Sequence, residues 1–454
     1  MSTDTVRIDR VEQRGRTRSS TQAGVWTSEA VRFPLIVGLV HWLLVQIPAT
    51  LALLNLDSTG DSAPFFDGGD PPPPMTGLAH YLVEPMRLWD GLWYRLIARD
   101  GYEISEGTAK AAFWPLYPWL MEQGSRLTGW AAESVGYVIS NLSFLGALII
   151  VYRIVSIDFD RDVARRTLWA LALFPTAVFF SAVYTESLFL LLAAGALLAA
   201  RQGNWWVAGL VGLLAALTRS AGVMLLAPFA VLFIQQHGWD IRRWFPHLVP
   251  AALPALGPVI FGWHLERSGA KFWDFVTVQE QWWRFTAMPW ETFRCATQGC
   301  MAEVPAHTEQ SGNQFFPVQG ADWTWLDLLV SNIFNWGFLT DLVPTESFRK
   351  LAADSDTLEL TVTIGALALA LIGLKKLPLY YSAFVLPPLL VPLFSPGAVH
   401  PLMSMPRFVL PLFPLFVMIA LLVRQRWLAV PLAVVSAALL AVLSMQFANW
   451  YWVS

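Results

Sequence analysis

Apolar runs of roughly 17 to 22 residues recur along this chain, and no other feature restricts its fold as much. A helix needs about 20 residues to cross the ~30 Å hydrocarbon layer of a bilayer. A chain of 454 residues that is 55% hydrophobic and 14% charged, with 23 Trp and 29 Phe, carries more apolar surface than one water-soluble core can cover. The sequence therefore predicts an all-α polytopic membrane protein, in which length counts helices and not soluble domains. The candidate spans are residues 33–54, 133–153, 167–183, 186–201, 205–218, 222–236, 245–264, 357–374, 378–395, 406–423 and 427–448, about eleven in all. The net charge of −3 excludes little, because sidedness of Lys and Arg matters more here than their sum. Nothing in the basic residues points to nucleic acid. Their bias toward Arg suits a GC-rich bacterial genome.

Orientation follows from where the positive charges fall. Residues 1–30 form a polar tail with Arg7, Arg10, Arg14, Arg16 and Arg18, expected to be disordered and cytoplasmic. The run that follows is too long for a cleaved signal core and reads as an uncleaved anchor. Residues 31–454 then make one transmembrane domain. With the tail inside, the inner connectors carry Arg153, Arg161, Arg165 and Arg166, then Arg201, Arg242 and Arg243, Lys375 and Lys376, and Arg424 and Arg426, as the positive-inside rule requires. Residues 57–132 and 265–356 become two large extracytoplasmic loops, with the C-terminus on the same side. Cys295 and Cys300, in "CATQGC", fall in the second loop. Their spacing and location permit a disulfide, with two free thiols as the alternative. Two cysteines without a nearby His pair do not make a metal site.

Residues 87–102, "RLWDGLWYRLIARDGY", are unusually charged for so apolar a chain. On a helix, Leu88, Trp89, Leu92, Trp93, Leu96 and Ile97 share one side; Arg87, Asp90, Gly91, Tyr94 and Ala98 share the other. The aromatic side suits a headgroup boundary, with Arg95 and Arg99 reaching lipid phosphates. That arrangement leaves Asp90 unexplained, and two readings stay open: a catalytic carboxylate, with Gly91 making room for a ligand, or a salt bridge to Arg87. Other polar residues gather at the same expected surface: Glu186 in "YTES", Arg219 in "LTRSAG", Gln279 and Arg284 in "VQEQWWRF", and Arg407 after "HPLMSMP". Each alone suits a structural anchor. Together, given the ~2.5–3.5 kcal/mol that each charge costs in apolar surroundings, they suggest a polar cavity opening outward. By contrast "IDFDRD" puts Asp158 and Asp160 in a metal-binding spacing but in a connector too short for a nucleotide-binding domain, so a solvated charged turn is expected.

With these residues in view, the chain resembles the GT-C integral-membrane glycosyltransferases, and among them the PIG-V type mannosyltransferases with their bacterial relatives. The resemblance lies in "WDGLWYRLIARDGY", "FWPLYP" (residues 113–118), "YTESLF" (184–189), "LTRSAG" (217–222) and "MPRF" (405–408), in the family's order; Trp114 departs from it where a second Phe is usual. It implies a GT-C fold with a polyprenyl-phosphate mannose donor, a lipid or glycolipid acceptor, a site on the extracytoplasmic face and inverting transfer, with Asp90 as general base. Arg219, Arg284 and Arg407 would meet the phosphate, and Trp89, Trp93, Trp114 and Tyr117 would pack prenyl chain or sugar. Arg87, Tyr94, Tyr184, Glu186, Gln279 and His400 complete the candidate substrate-binding set. The scheme calls for no cofactor and no metal; its partners are donor, acceptor and membrane lipids. A transporter or flippase for a lipid-linked sugar is the rival reading, and an inactive scaffold a third.

Overall fold

The computed structural model describes residues 28–54, 73–102, 109–239, 244–245, 247–298, 355–449 and 453. Among these, all regular structure is helical, apart from one isolated bridge between Arg284 and Gly397. The helices of ten residues or more are α1 (Ser28–Leu54), α2 (Asp90–Asp100), α3 (Leu116–Thr128), α4 (Ala132–Asp158), α5 (Arg161–Ala172), α6 (Glu186–Arg201), α7 (Trp205–Thr218), α8 (Leu226–His237), α9 (Leu256–Arg267), α10 (Pro289–Gln298), α11 (Ser355–Lys376), α12 (Leu379–Leu390), α13 (Phe413–Leu422) and α14 (Arg426–Ala448).

Six stretches are long and apolar enough to cross a membrane: Ser28–Leu53, Ala132–Asp158, Ser220–His237, Leu248–Arg267, Asp356–Lys376 and Arg426–Ala448. Shorter apolar helices, Trp205–Thr218, Leu379–Phe394 and Phe413–Leu422, pack among them. Apolar surface divides as a bilayer demands. α1 exposes Leu35, Ile36, Leu39 and Leu43, and α14 exposes Trp427, Val430, Val434 and Val435, while α6 buries nearly every side chain at the centre.

Two of the expected spans are broken, and proline explains both. The run 167–183 is helical only to Ala172; Pro175 follows, and the chain continues through a 3₁₀ turn at Ala177–Phe180. This irregular backbone is buried in protein, where its polar groups find partners that lipid cannot supply. The run 406–423 likewise splits, into Met405–Val409 and α13, with Pro411 and Pro414 at the joint. Both breaks lie beside the site described below.

The solvated turn expected at Asp158 and Asp160 is found at Asp160, which is exposed, but not at Asp158. Asp160 caps α5 by accepting from the Val163 amide at 2.7 Å. The Asp158 side chain is 4% exposed, pairs with Arg201 at 3.2 Å and accepts from the Tyr380 hydroxyl, because α12 closes over that end of α4. Residues 1–27, Arg242, Arg243 and much of the two large predicted loops lie outside the described residues.

Candidate active site

Five separated stretches bring polar residues to one cavity of about 200 Å³, with Glu186 directly behind its wall. Asp90 enters from the first turn of α2, where a carboxylate is favoured by the helix dipole. Thr185 and Glu186 come from the start of α6, and Arg219 from the end of α7, where the chain turns extended (φ −154°, ψ 149°). Arg407 comes from the short helix Met405–Val409. The "LTRSAG" joint depends on a glycine: a Cβ on Gly222 would stand 2.3–2.4 Å from backbone atoms of Ala215 and Ala216, so only glycine lets this turn fold back on α7 beside Arg219.

An ion-pair chain links these residues. Arg407 donates through Nη1 to Asp90 Oδ2 at 2.5 Å and through Nε to Glu186 Oε1 at 3.0 Å. Arg219 donates through Nη1 to the same Glu186 oxygen, and to Thr185 Oγ1 at 3.2 Å. The Asp90 amide donates to the Tyr184 hydroxyl at 3.0 Å, and the Arg407 guanidinium lies 4.7 Å from the Tyr184 ring centre and 5.2 Å from that of Phe179. Tyr94 shares a hydrogen bond with Thr185 at 3.3 Å, and burial pushes its hydroxyl pKa up, so it acts as a neutral phenol. Two carboxylates and two guanidiniums balance in charge, and breaking one buried pair costs more than an exposed one because a lone charge remains.

Arg284 also reaches the cavity, but two of its nitrogens already donate to the carbonyls of Ser395 and Met403, both at 2.9 Å. Burial pushes its pKa down to about 10 against the opposing charge of Glu359. Among the described non-glycine residues, positive φ occurs at Trp89 (58°), Trp283 (53°) and Ser404 (69°). Each stands within three residues of Asp90, Arg284 or Arg407. Such strain costs about 1–3 kcal/mol per residue and gathers where geometry serves a purpose other than stability.

Of the sequence-predicted residues, Asp90, Tyr94, Trp114, Arg219, Gln279, Arg284 and Arg407 line this cavity. Trp93 stacks on Phe113 at 5.7 Å and meets Trp282 edge-on, both of which are wall residues. Tyr117, Tyr184 and Glu186 lie behind the wall; Tyr117 is fully buried and bonds to Ser140 and the Gly136 carbonyl. His400 is not on the wall and pairs with Asp356 at 2.8 Å. Cys295 is buried, and Cys300, and with it the expected pairing, lies outside the described residues. Thr185, Thr218, Ser220, Trp282, Ser404 and Phe408 line the cavity without having been singled out, although each is in or next to a quoted motif.

Three expectations about the Asp90 helix are corrected. Its aromatic side is not at a headgroup boundary: Trp89 and Trp93 are buried against protein, and Arg95 pairs with Glu133 at 2.8 Å. Gly91 faces the Val183 and Tyr184 stretch and not a ligand space, and a Cβ there would meet these residues only at ordinary contact distances of 3.5–4.0 Å. Arg87 does not pair with Asp90; it is held by Glu84 at 2.5 Å and Glu133 at 3.2 Å and lines a separate cavity of about 540 Å³. The reason is common to all three. Segments 109–133 and 177–186 pack against α2, including the aromatic side that sequence periodicity alone had assigned to the headgroup boundary. Among the described residues no group of three or more His, Cys, Asp or Glu is placed to hold a metal.

Comparison with known proteins places these residues in context. Residues 29–240, a little under half of the chain, match the family model described as Mannosyltransferase (PIG-V), and that stretch holds Asp90, Glu186 and Arg219. No curated protein matches the chain. Among solved structures, it is similar to ArnT from Cupriavidus metallidurans bound to undecaprenyl phosphate, at 14% identity over 72% of this chain and 71% of that one, with a TM-score of 0.35.

Proposed function

Starting from the match of residues 29–240 to the PIG-V mannosyltransferases, we propose that this multi-pass membrane protein transfers mannose from a polyprenyl-phosphate donor to a lipid or glycolipid acceptor. The site faces the extracytoplasmic side and transfer inverts the anomeric centre. One observation carries the reading: the cavity wall presents a carboxylate, Asp90, beside two guanidiniums, Arg407 and Arg219.

The acceptor hydroxyl oxygen attacks the anomeric carbon as the bond from that carbon to the phosphate oxygen breaks. The hydroxyl proton passes to Asp90. The leaving lipid phosphate gains a negative charge, which Arg407 and Arg219 meet with charge-assisted hydrogen bonds. A phosphate is an acidic leaving group and needs no proton donor, so one carboxylate suffices where a glycosidase uses two. Tyr94, Trp114 and Trp282 supply the apolar and polar-tipped surfaces suited to a sugar face or the first prenyl units.

The test is transfer of labelled mannose from decaprenyl-phosphate mannose to membrane lipids by the purified protein in liposomes. A labelled lipid product is expected. Passage of the lipid-linked sugar across the bilayer with no product would replace this reading with the flippase.

A further inference from the structure

Glu186 has the environment of a residue that works without touching a ligand. Its side chain is 0% exposed and is not part of the cavity wall, yet it holds two arginines that are. Oxygen Oε1 accepts from both Arg219 Nη1 and Arg407 Nε, while Oε2 is buried with no hydrogen-bond partner among the described residues. Thr185 fixes the same Arg219 nitrogen at 3.2 Å. A carboxylate serving only to neutralise would gain by offering one oxygen to each guanidinium. Sharing one oxygen instead pins both cations to a single point and couples their positions. Two guanidiniums side by side repel, and a carboxylate between them offsets that repulsion where water cannot.

We propose that Glu186 is a positioning residue that sets the spacing of Arg219 and Arg407 so that both meet one phosphate group. The inference rests on the phosphate-donor reading above. It removes Glu186 from the set of residues that contact substrate and gives it a role exerted through the two guanidiniums.

Binding of decaprenyl phosphate, the lipid without its sugar, separates the possibilities. The wild-type protein is expected to bind it. Glu186→Asp keeps the charge but withdraws it by one methylene, and should weaken this binding by on the order of tenfold to a hundredfold, with a comparable fall in kcat for transfer. Glu186→Gln, nearly isosteric, should weaken it as well because the charge between the arginines is gone, and Glu186→Asp, which keeps that charge, is the safer variant for folding. If both variants bind the sugar-free lipid as the wild type does while the KM for the mannosylated donor rises, Glu186 contacts the sugar and the proposal is overturned. If the wild type itself binds no decaprenyl phosphate, the donor reading fails first and the proposal with it.

Discussion

Asp90 and Arg407 are separated by 317 positions in sequence and by 2.5 Å in space, and this pair is the centre of the site. Asp90→Asn keeps shape and hydrogen-bonding reach but cannot take the hydroxyl proton. Mannose transfer is expected to fall by roughly 10² to 10⁴, and near-normal transfer would remove the catalytic assignment. Because Arg87 is held by Glu84 and Glu133, adding Arg87→Gln should not restore the loss. Arg407→Lys gives a second check. A single ammonium cannot reproduce the fork that reaches Asp90 and Glu186 together, so transfer should drop by about tenfold or more. Unchanged donor affinity and turnover in that variant would show that Arg407 takes no part.

Elements meet at this site because helices stop there, and the stops are testable. Gly222→Ala would force a methyl into the backbone of α7, and overpacking of this kind costs about 1–3 kcal/mol. The expected result is a lowered thermal midpoint together with reduced transfer, since Arg219 moves with the turn. A further link joins the start of α11 to the segment before Met405, through His400 and Asp356. Burial opposes charge on His400, but the hydrogen bond and charge of Asp356, with the charge of Glu359, outweigh it and hold the pKa above its ordinary value. A raised folded-state pKa gives stability that is fully present below the ordinary histidine pKa of about 6.5 and is lost as pH rises through the folded value. The thermal midpoint of the wild type should therefore lose ground against His400→Gln as pH rises from about 6 to 9. A pH-independent difference between the two would mean that the charged pair adds nothing.

For the whole molecule, the proposed orientation is open to direct labelling. A cysteine at Thr128, exposed in the first predicted outer loop, should react with an impermeant thiol reagent from outside, and one at Gln202, exposed between α6 and α7, should not. The reverse pattern would place the site on the cytoplasmic face and exclude the extracytoplasmic donor. The all-helical, membrane-spanning character was legible in the sequence, because spanning lipid imposes a length and a composition that a linear pattern records. The count of eleven was not, since among the described residues six stretches are long enough to span, three apolar helices are shorter, and two of the expected runs break at proline. The site was legible in part for a related reason: Asp90, Arg219 and Arg407 are charges that an apolar chain keeps at a cost, so they stand out against their neighbours. Tertiary structure alone decided the rest. It paired Asp90 with Arg407 and not with Arg87, turned Trp93 of α2 inward onto Phe113 and Trp282, and set Glu186 behind the cavity wall. Periodicity states which residues share a face of one helix, but not what packs on that face, and every one of these contacts joins segments that fold together from distant parts of the chain.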